Sequence, residues 1–175
     1  AYAKEKMDMS QYDWDGDGAV DQVYVIYAGY GEAAGGEPNT IWPHEWDIQS
    51  GGYSLVLGGQ RIRTYACSSE LNGGYGTDIS GIGTACHEFS HCMGIPDFYD
   101  TAGSSFGMDA WDLMDYGSYG GDGYEPTGYN TYEKWVSGWI EPTILTEPCY
   151  IKNMKPLSDA PEACVVFNEA NKNEY

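Results

Sequence analysis

The residues with the clearest chemical potential are His87-Glu88-Phe89-Ser90-His91. Imidazoles four positions apart lie one above the other on a helix, close enough to bind a single Zn²⁺ ion. Glu88, between them, is placed to take a proton from a water activated by the metal. The chain has only three histidines, and chance would place two of them around a glutamate in this way on the order of once in a few hundred such chains. Gly94 follows His91 by three positions and Asp97 follows Gly94 by three, giving HEFSHCMGIPD. A glycine there can adopt the left-handed conformation that ends a helix and turns the chain back, bringing Asp97 under the histidines as third ligand. Pro96 stiffens that return. Asp97 as a loop-capping carboxylate stays open as a reading, and the competing third ligand is Glu133 in TYEKW, on the next expected helix. Gly94 is what favours Asp97 over Glu133.

A second constellation precedes the first. Asp13, Asp15 and Asp17 alternate, Gly18 stands at the turn, and the Ala19 carbonyl and Asp21 follow, as in the first nine positions of a Ca²⁺ loop. Tyr24 occupies the place of the bidentate glutamate and a strand follows in place of a helix, so the expectation is a structural calcium site of another type. Carboxylates this close repel one another unless a cation neutralises them. The alternative is an acidic turn with solvated side chains. Asp97, Tyr99 and Asp100 hint at a further cation near the loop after His91. His44, in IWPHEW, is expected to be a hydrogen-bonded structural histidine, with a role near the metal as the lesser alternative.

These sites must be held by elements the pattern foretells. Asp78 or Ser80 is the expected cap of a helix running through Ile82, Cys86, Phe89 and Met93 and stopped at Gly94. VDQVYVIYAGY is apolar at both alternate sets, as in a strand covered on both faces. YSLVL and RIRTYAC, around GGQ, read as a hairpin with an edge strand. A peptide is expected to lie along that edge by strand addition, with Arg61 and Arg63 as solvated charges that discourage unwanted pairing. TYEKWVSGWI reads as a second helix, and the tail from Glu141 as irregular strands and turns.

Composition narrows the functional classes. The 175 residues fit one domain, 1–175, with an upper part to about 94 and a lower part from about 95. The net charge of −19 repels phosphate backbones and anionic headgroups, arguing against nucleic-acid and membrane-surface partners and for hard cations. No apolar run approaches the ~20 residues of a membrane span, and AYAKEKMDMS has no signal-peptide core. The first residue is not Met, so the expectation is a processed or excerpted piece of something longer. The five cysteines are odd in number; Cys149 and Cys164 flank a turn and are a candidate disulfide, while Cys86 and Cys92 point in different directions.

HEFSHCMGIPDFYD resembles the long zinc motif of the metzincin metalloproteases, in the variant with Asp as third ligand, and WDLMDYGSYGG resembles their Met-turn. YDWDGDGAVDQVYVIYAGYGE and IWPHEW resemble segments of the immune inhibitor A-like secreted bacterial proteases, the likeness running from about residue 11 to 140. The resemblance implies an α+β zincin fold: a twisted mixed sheet, a central active-site helix and an irregular C-terminal subdomain. It implies His87, His91 and Asp97 as zinc ligands, Glu88 as general base, Met114 beneath the metal and Tyr116 as a tyrosine reaching the metal or the oxyanion. It further implies secretion, protein or peptide substrates and a propeptide in the precursor. In one respect the chain departs from the pattern: ten residues ahead of the Asp-rich loop cannot supply the clan's first strand and helix, which are either missing or replaced. The sequence therefore reads as a zinc endopeptidase supported by calcium. The contrasting reading is a calcium-stabilised binding or adhesion module on an inactive protease scaffold, against which the retained Glu88 argues.

Overall fold

Parallel pairing between two distant segments organises the computed structural model, which describes residues 6–168 and 170. The single-domain expectation over 1–175 extends past the described residues at both ends. Strand β1 (Ala19–Val20) runs parallel to β5 (Gln60–Ile62), and β2 (Val23–Tyr30) runs parallel to β6 (Thr64–Leu71). Ala19 faces Arg61 and Val23 faces Tyr65, the same sequence offset, so one pair of segments continues across the breaks at Asp21–Gln22 and Arg63. Strand β3 (His44–Asp47) adds antiparallel to the far side of β6, and β4 (Leu55–Leu57) adds antiparallel to β5. The mixed sheet foreseen from the sequence is thus two three-stranded mixed sheets laid end to end, in orders β2-β6-β3 and β1-β5-β4. A parallel pair, β7 (Thr143–Ile144) and β8 (Cys164–Val165), lies in the tail.

The expected hairpin is narrower than the sequence implied. β4 and β5 close through Gly58 and Gly59, both at positive φ, but beyond Arg63 the chain enters the other sheet, so TYAC is not a hairpin strand. The strand covered on both faces is also a different one. In β2, Val25 and Ile26 are exposed, Ile26 by 69%, because β2 is an edge strand. The buried strand is β6, where Ala66, Cys67, Ser68 and Ser69 are all buried and the first two lie between two partner strands. Their small side chains let the long helix approach closely.

That helix, α1 (Ile82–Cys92), begins at Gly81 and not at Asp78 or Ser80. Those two residues extend the sheet instead: Ile79 bridges Leu71, the Asp78 carbonyl accepts from the Asn72 N–H, and the Ser80 N–H donates to the Glu70 carbonyl. Helical spacing is as expected, yet Ile82, Phe89 and Met93 are exposed and the buried positions are Gly83, Glu88 and Ser90. The reason is backbone contact. A Cβ on Gly83 would overlap the Ser118 carbonyl, and one on Gly81 would overlap Gly123. The first turn of α1 therefore lies directly on the kinked 3₁₀ segment Tyr116–Gly123.

Helix α2 (Thr131–Val136) carries a capping box between Asn130 and Glu133 and stops sooner than its apolar pattern implied, ahead of Gly138 at φ +73°. Two separate clusters form the interior. Met9, Val20 and Ile62 pack beside the acidic loop, and Ile95, Leu113 and Met114 pack below α1 with Cys86, Phe98 and Tyr129 around them. All five cysteines are free thiols, so no bridge joins Cys149, which is exposed, to Cys164 in β8. Among the described residues no helix is long and apolar enough to cross a membrane.

Gly83→Ala is expected to destabilise the fold by about 1–3 kcal/mol, the usual cost of forcing a methyl group into a filled space, read as a lower urea midpoint. An unchanged midpoint would mean that the Ser118 carbonyl yields without cost.

Candidate metal centre

The C-terminus of α1 builds the site. The Gly94 N–H donates to the His91 carbonyl at 2.9 Å and the Ile95 N–H to the Ser90 carbonyl at 3.1 Å, the paired bonds of a Schellman turn. Gly94 sits at φ +85° with open space where a Cβ would stand, so backbone conformation and not crowding calls for glycine. The chain reverses there and delivers Asp97 to the histidines. Asp97 Oδ1 lies 3.2 Å from both His87 Nε2 and His91 Nε2.

Each imidazole is fixed from behind. His87 Nδ1 is 3.0 Å from the Leu113 carbonyl and His91 Nδ1 is 2.8 Å from the Ile95 carbonyl. A carbonyl only accepts, so Nδ1 carries the proton and the Nε2 lone pair faces the site, the tautomer a metal requires. Asp97 Oδ1 is buried without a hydrogen-bond partner. Burial raises the Asp97 pKa, and when the imidazoles are protonated and donate to it they hold it well below the usual carboxylate range. The three ligand atoms lie within 4.8 Å of one another. Tetrahedral bonds of about 2.0–2.2 Å to N and O place ligand atoms roughly 3.3–3.5 Å apart, close to the observed spacing. The donor set fits a first-row divalent cation.

Leu113 and Ile95, whose carbonyls anchor the imidazoles, belong with fully buried Met114 to one apolar cluster, and the Phe98 N–H donates to the Met114 carbonyl at 2.9 Å. This cluster is the floor of the site. Glu133 is not brought to the histidines: it is fully buried beside Asp112 and Asn130. The second-helix alternative for the third ligand therefore falls away on geometry.

A cavity of about 750 Å³ opens over the triad, lined by Thr84 and Glu88 of α1, by Tyr99, Tyr116 and Tyr119, and by the stretch Trp42, Pro43, His44 and Glu45. Glu88 is 8% exposed. Burial raises its pKa, while His87 and His91 pull it the other way. His44 is hydrogen-bonded at both ring nitrogens, to the Trp42 carbonyl and the Tyr65 hydroxyl, each at 2.7 Å, as a structural histidine should be. Tyr116 borders the cavity and packs on Tyr119, its side chain largely exposed. Tyr119 carries no mark in the sequence, and Tyr99 figures there only in the hint of a further cation. Burial and then the Asp97 carboxylate push the Tyr99 hydroxyl up to about 12. Its one signal was proximity to Asp97 in a tyrosine-rich chain.

The strand beside the cavity is β3, an edge of its sheet, and not the β4–β5 hairpin named from the sequence. Arg61 and Arg63 are also elsewhere: Arg61 Nη2 donates to the Asp17 carbonyl at 3.0 Å and Arg63 Nε to Asp47 Oδ2 at 3.0 Å. Both side chains remain largely exposed, as expected of solvated charges, and they clamp loops as well.

In the acidic loop, one oxygen each of Asp13, Asp15 and Asp17 lies within 4.8 Å of the others, and Asp13 Oδ1 is buried without a partner. Asp21 falls outside that triad and closes the loop base, its Oδ2 accepting from the Trp14 N–H at 2.5 Å. Ala19 donates its N–H to Asp17 Oδ1 at 2.7 Å. The hint of another cation at Asp100 does not hold. That carboxylate accepts from the Ala102, Ser104 and Ser105 N–H groups and the Ser104 hydroxyl, which makes it the anchor of a turn.

A family model described as immune inhibitor A peptidase M6, catalytic domain, matches residues 4–140. The chain is 28% identical over 145 residues to immune inhibitor A of Bacillus thuringiensis subsp. alesti, covering 71% of this chain and 20% of that protein. It is 30% identical over 142 residues to the pre-pro-metalloprotease PrtV of Vibrio cholerae serotype O1, covering 71% of this chain and 15% of that protein. The matched stretch thus spans a fifth or less of these curated relatives.

Proposed function

The chain belongs to the immune inhibitor A peptidase M6 family, and on that premise we propose that it is the catalytic unit of a zinc-dependent endopeptidase with a metzincin-like site. The observation that carries this reading is the meeting of two Nε2 lone pairs and one unpartnered carboxylate oxygen at 3.2 Å, in a cavity that also holds Glu88. His87, His91 and Asp97 would hold the ion. When bound, zinc supplies Lewis acidity, which makes water more acidic and a peptide carbonyl more electrophilic.

The remaining work falls to the chain. Glu88, its pKa raised by burial, takes the proton of the attacking water and returns it to the leaving amine. Tyr116 is assigned to the developing oxyanion from the cavity wall. The peptide lies extended against β3, whose outer edge offers main-chain hydrogen bonds, and the aromatic walls contact its side chains. Calcium, held by Asp13, Asp15 and Asp17 with the Ala19 carbonyl and Asp21 completing the loop, is a structural ion in this reading. The orphaned Asp13 Oδ1 supports it. One relative is named a pre-pro-metalloprotease, and we extend a propeptide and an extracellular location to the precursor of this chain.

Glu88→Gln should lower peptide cleavage by about 10²–10⁴-fold while zinc stays near one per chain by atomic absorption; undiminished cleavage would remove Glu88 as general base. Asp97→Ala should lose stoichiometric zinc after dialysis, and a variant that keeps its zinc would remove Asp97 as ligand. Removing calcium with a calcium-selective chelator should lower the melting temperature before zinc is released, and Asp15→Asn should abolish that response. A melting curve indifferent to calcium would reduce the loop to an acidic turn.

A further inference from the structure

Two fully buried carboxyl groups, Asp112 and Glu133, lie outside the chemistry assigned above. They share one partner, Asn130, whose side-chain amide donates to Asp112 and whose backbone N–H donates to Glu133, and neither faces the cavity over the triad. Asp112 Oδ1 accepts the Met114 N–H at 2.8 Å, bending the chain around Leu113. Its Oδ2 accepts from Asn130 Nδ2 at 2.5 Å. Glu133 Oε2 accepts the Asn130 N–H at 2.6 Å, and Glu133 Oε1 is buried with no donor at all.

Two carboxylates drawn to one partner in a dry interior do not both ionise, and an acceptor buried without a donor is costly. One proton resolves both problems. Placed on Glu133 Oε1, it turns the orphaned acceptor into a donor to Asp112 and leaves one negative charge on the pair. That charge then rests among the N–H groups of Met114 and Asn130.

We propose that Asp112 and Glu133 form a one-proton carboxyl pair that positions His87, by locking the Leu113 turn whose carbonyl receives the His87 Nδ1 proton. The link runs from α2 through Glu133 and Asp112 to Leu113, and from Leu113 to the imidazole 3.0 Å away. These are positioning residues, touching neither metal nor substrate. The inference rests on the metal-centre reading for its purpose, but the pair itself does not depend on it.

The protonation state has its own physical support. Burial pushes the Glu133 carboxyl up to about 7; the Asn130 N–H opposes this, and the neighbouring Asp112 charge reinforces it. The titratable groups around it are Asp112 on the Met114 segment, His87 on α1, Tyr129 just before α2, and Lys134 on α2, whose Nζ reaches the Leu157 carbonyl. Because the folded-state value lies above the ordinary 4.5, the folded protein holds this proton more tightly. The resulting stabilisation is complete below about 4.5, falls as pH rises and is gone above about 7.

The test uses the whole chain. Difference infrared spectra at pH 6 should show the carbonyl band of a protonated, water-shielded carboxyl. The band should fade through about pH 7 and be absent from Glu133→Gln. No band, or a band that survives in Glu133→Gln, overturns the pair. For positioning, zinc affinity is read by chelator competition. Glu133→Ala, if folded by circular dichroism, should bind zinc 10–100-fold more weakly, with kcat reduced and KM within about twofold, while the amide donor of Glu133→Gln keeps affinity within about threefold. Wild-type affinity in Glu133→Ala, or equal damage in both variants, overturns the positioning role. Should Glu133→Ala not fold, the infrared comparison still decides the pair, and Glu133→Gln decides positioning through its affinity alone, a tenfold loss overturning it. A wild-type chain that shows the band but binds no zinc would instead refute the metalloprotease reading.

Discussion

The whole site depends on the reversal at Gly94. Helix α1 can place two imidazoles on one face by its own periodicity, but the third ligand atom must arrive from outside the helix. The left-handed residue achieves this in three steps of chain, with both bonds of the Schellman turn satisfied by the last carbonyls of α1. The same turn exposes the Ile95 carbonyl to His91 Nδ1. One backbone feature therefore ends the helix, delivers Asp97 and orients a histidine.

The support beneath is built with equal economy. Both imidazoles lean on carbonyls belonging to the cluster that contains Met114, so the candidate ligand geometry and core packing share the same atoms. Methionine suits that place because its flexible thioether fills an irregular gap without demanding a hydrogen bond. The acidic loop is supported separately, packed beside Met9, Val20 and Ile62 and fastened by Arg61. The two candidate ligand clusters thus draw on two different interiors.

What the sequence made legible was local. His87, Glu88, His91, Gly94 and Asp97 are bound together by helical geometry and one turn, and spacing alone conveys such relations. Met114 needed family likeness, and the cavity walls needed tertiary structure: nothing in the order of residues brings Trp42 to the same cavity as Tyr119. RIRTYAC revealed only the first half of β6, and its burial was hidden because Ala66, Cys67, Ser68 and Ser69 are small, whereas β2 advertised an apolarity it leaves exposed. Asp78 and Ser80 looked like caps because their side chains suit the role, yet their backbones were already committed to the sheet. The Asp112–Glu133 pairing was hidden for the same reason as the walls, since the two residues lie on different elements.

The bare contact between Gly83 and the Ser118 carbonyl bears on how the cavity wall can change shape. With main chain resting on main chain, helix and aromatic wall cannot slide apart without prising open the most tightly seated seam of the molecule. Freedom on that flank therefore lies in the Tyr116 and Tyr119 rings and not in the segment that carries them. Exchanging a ring there is a change to the wall alone, apart from His87, His91 and Asp97.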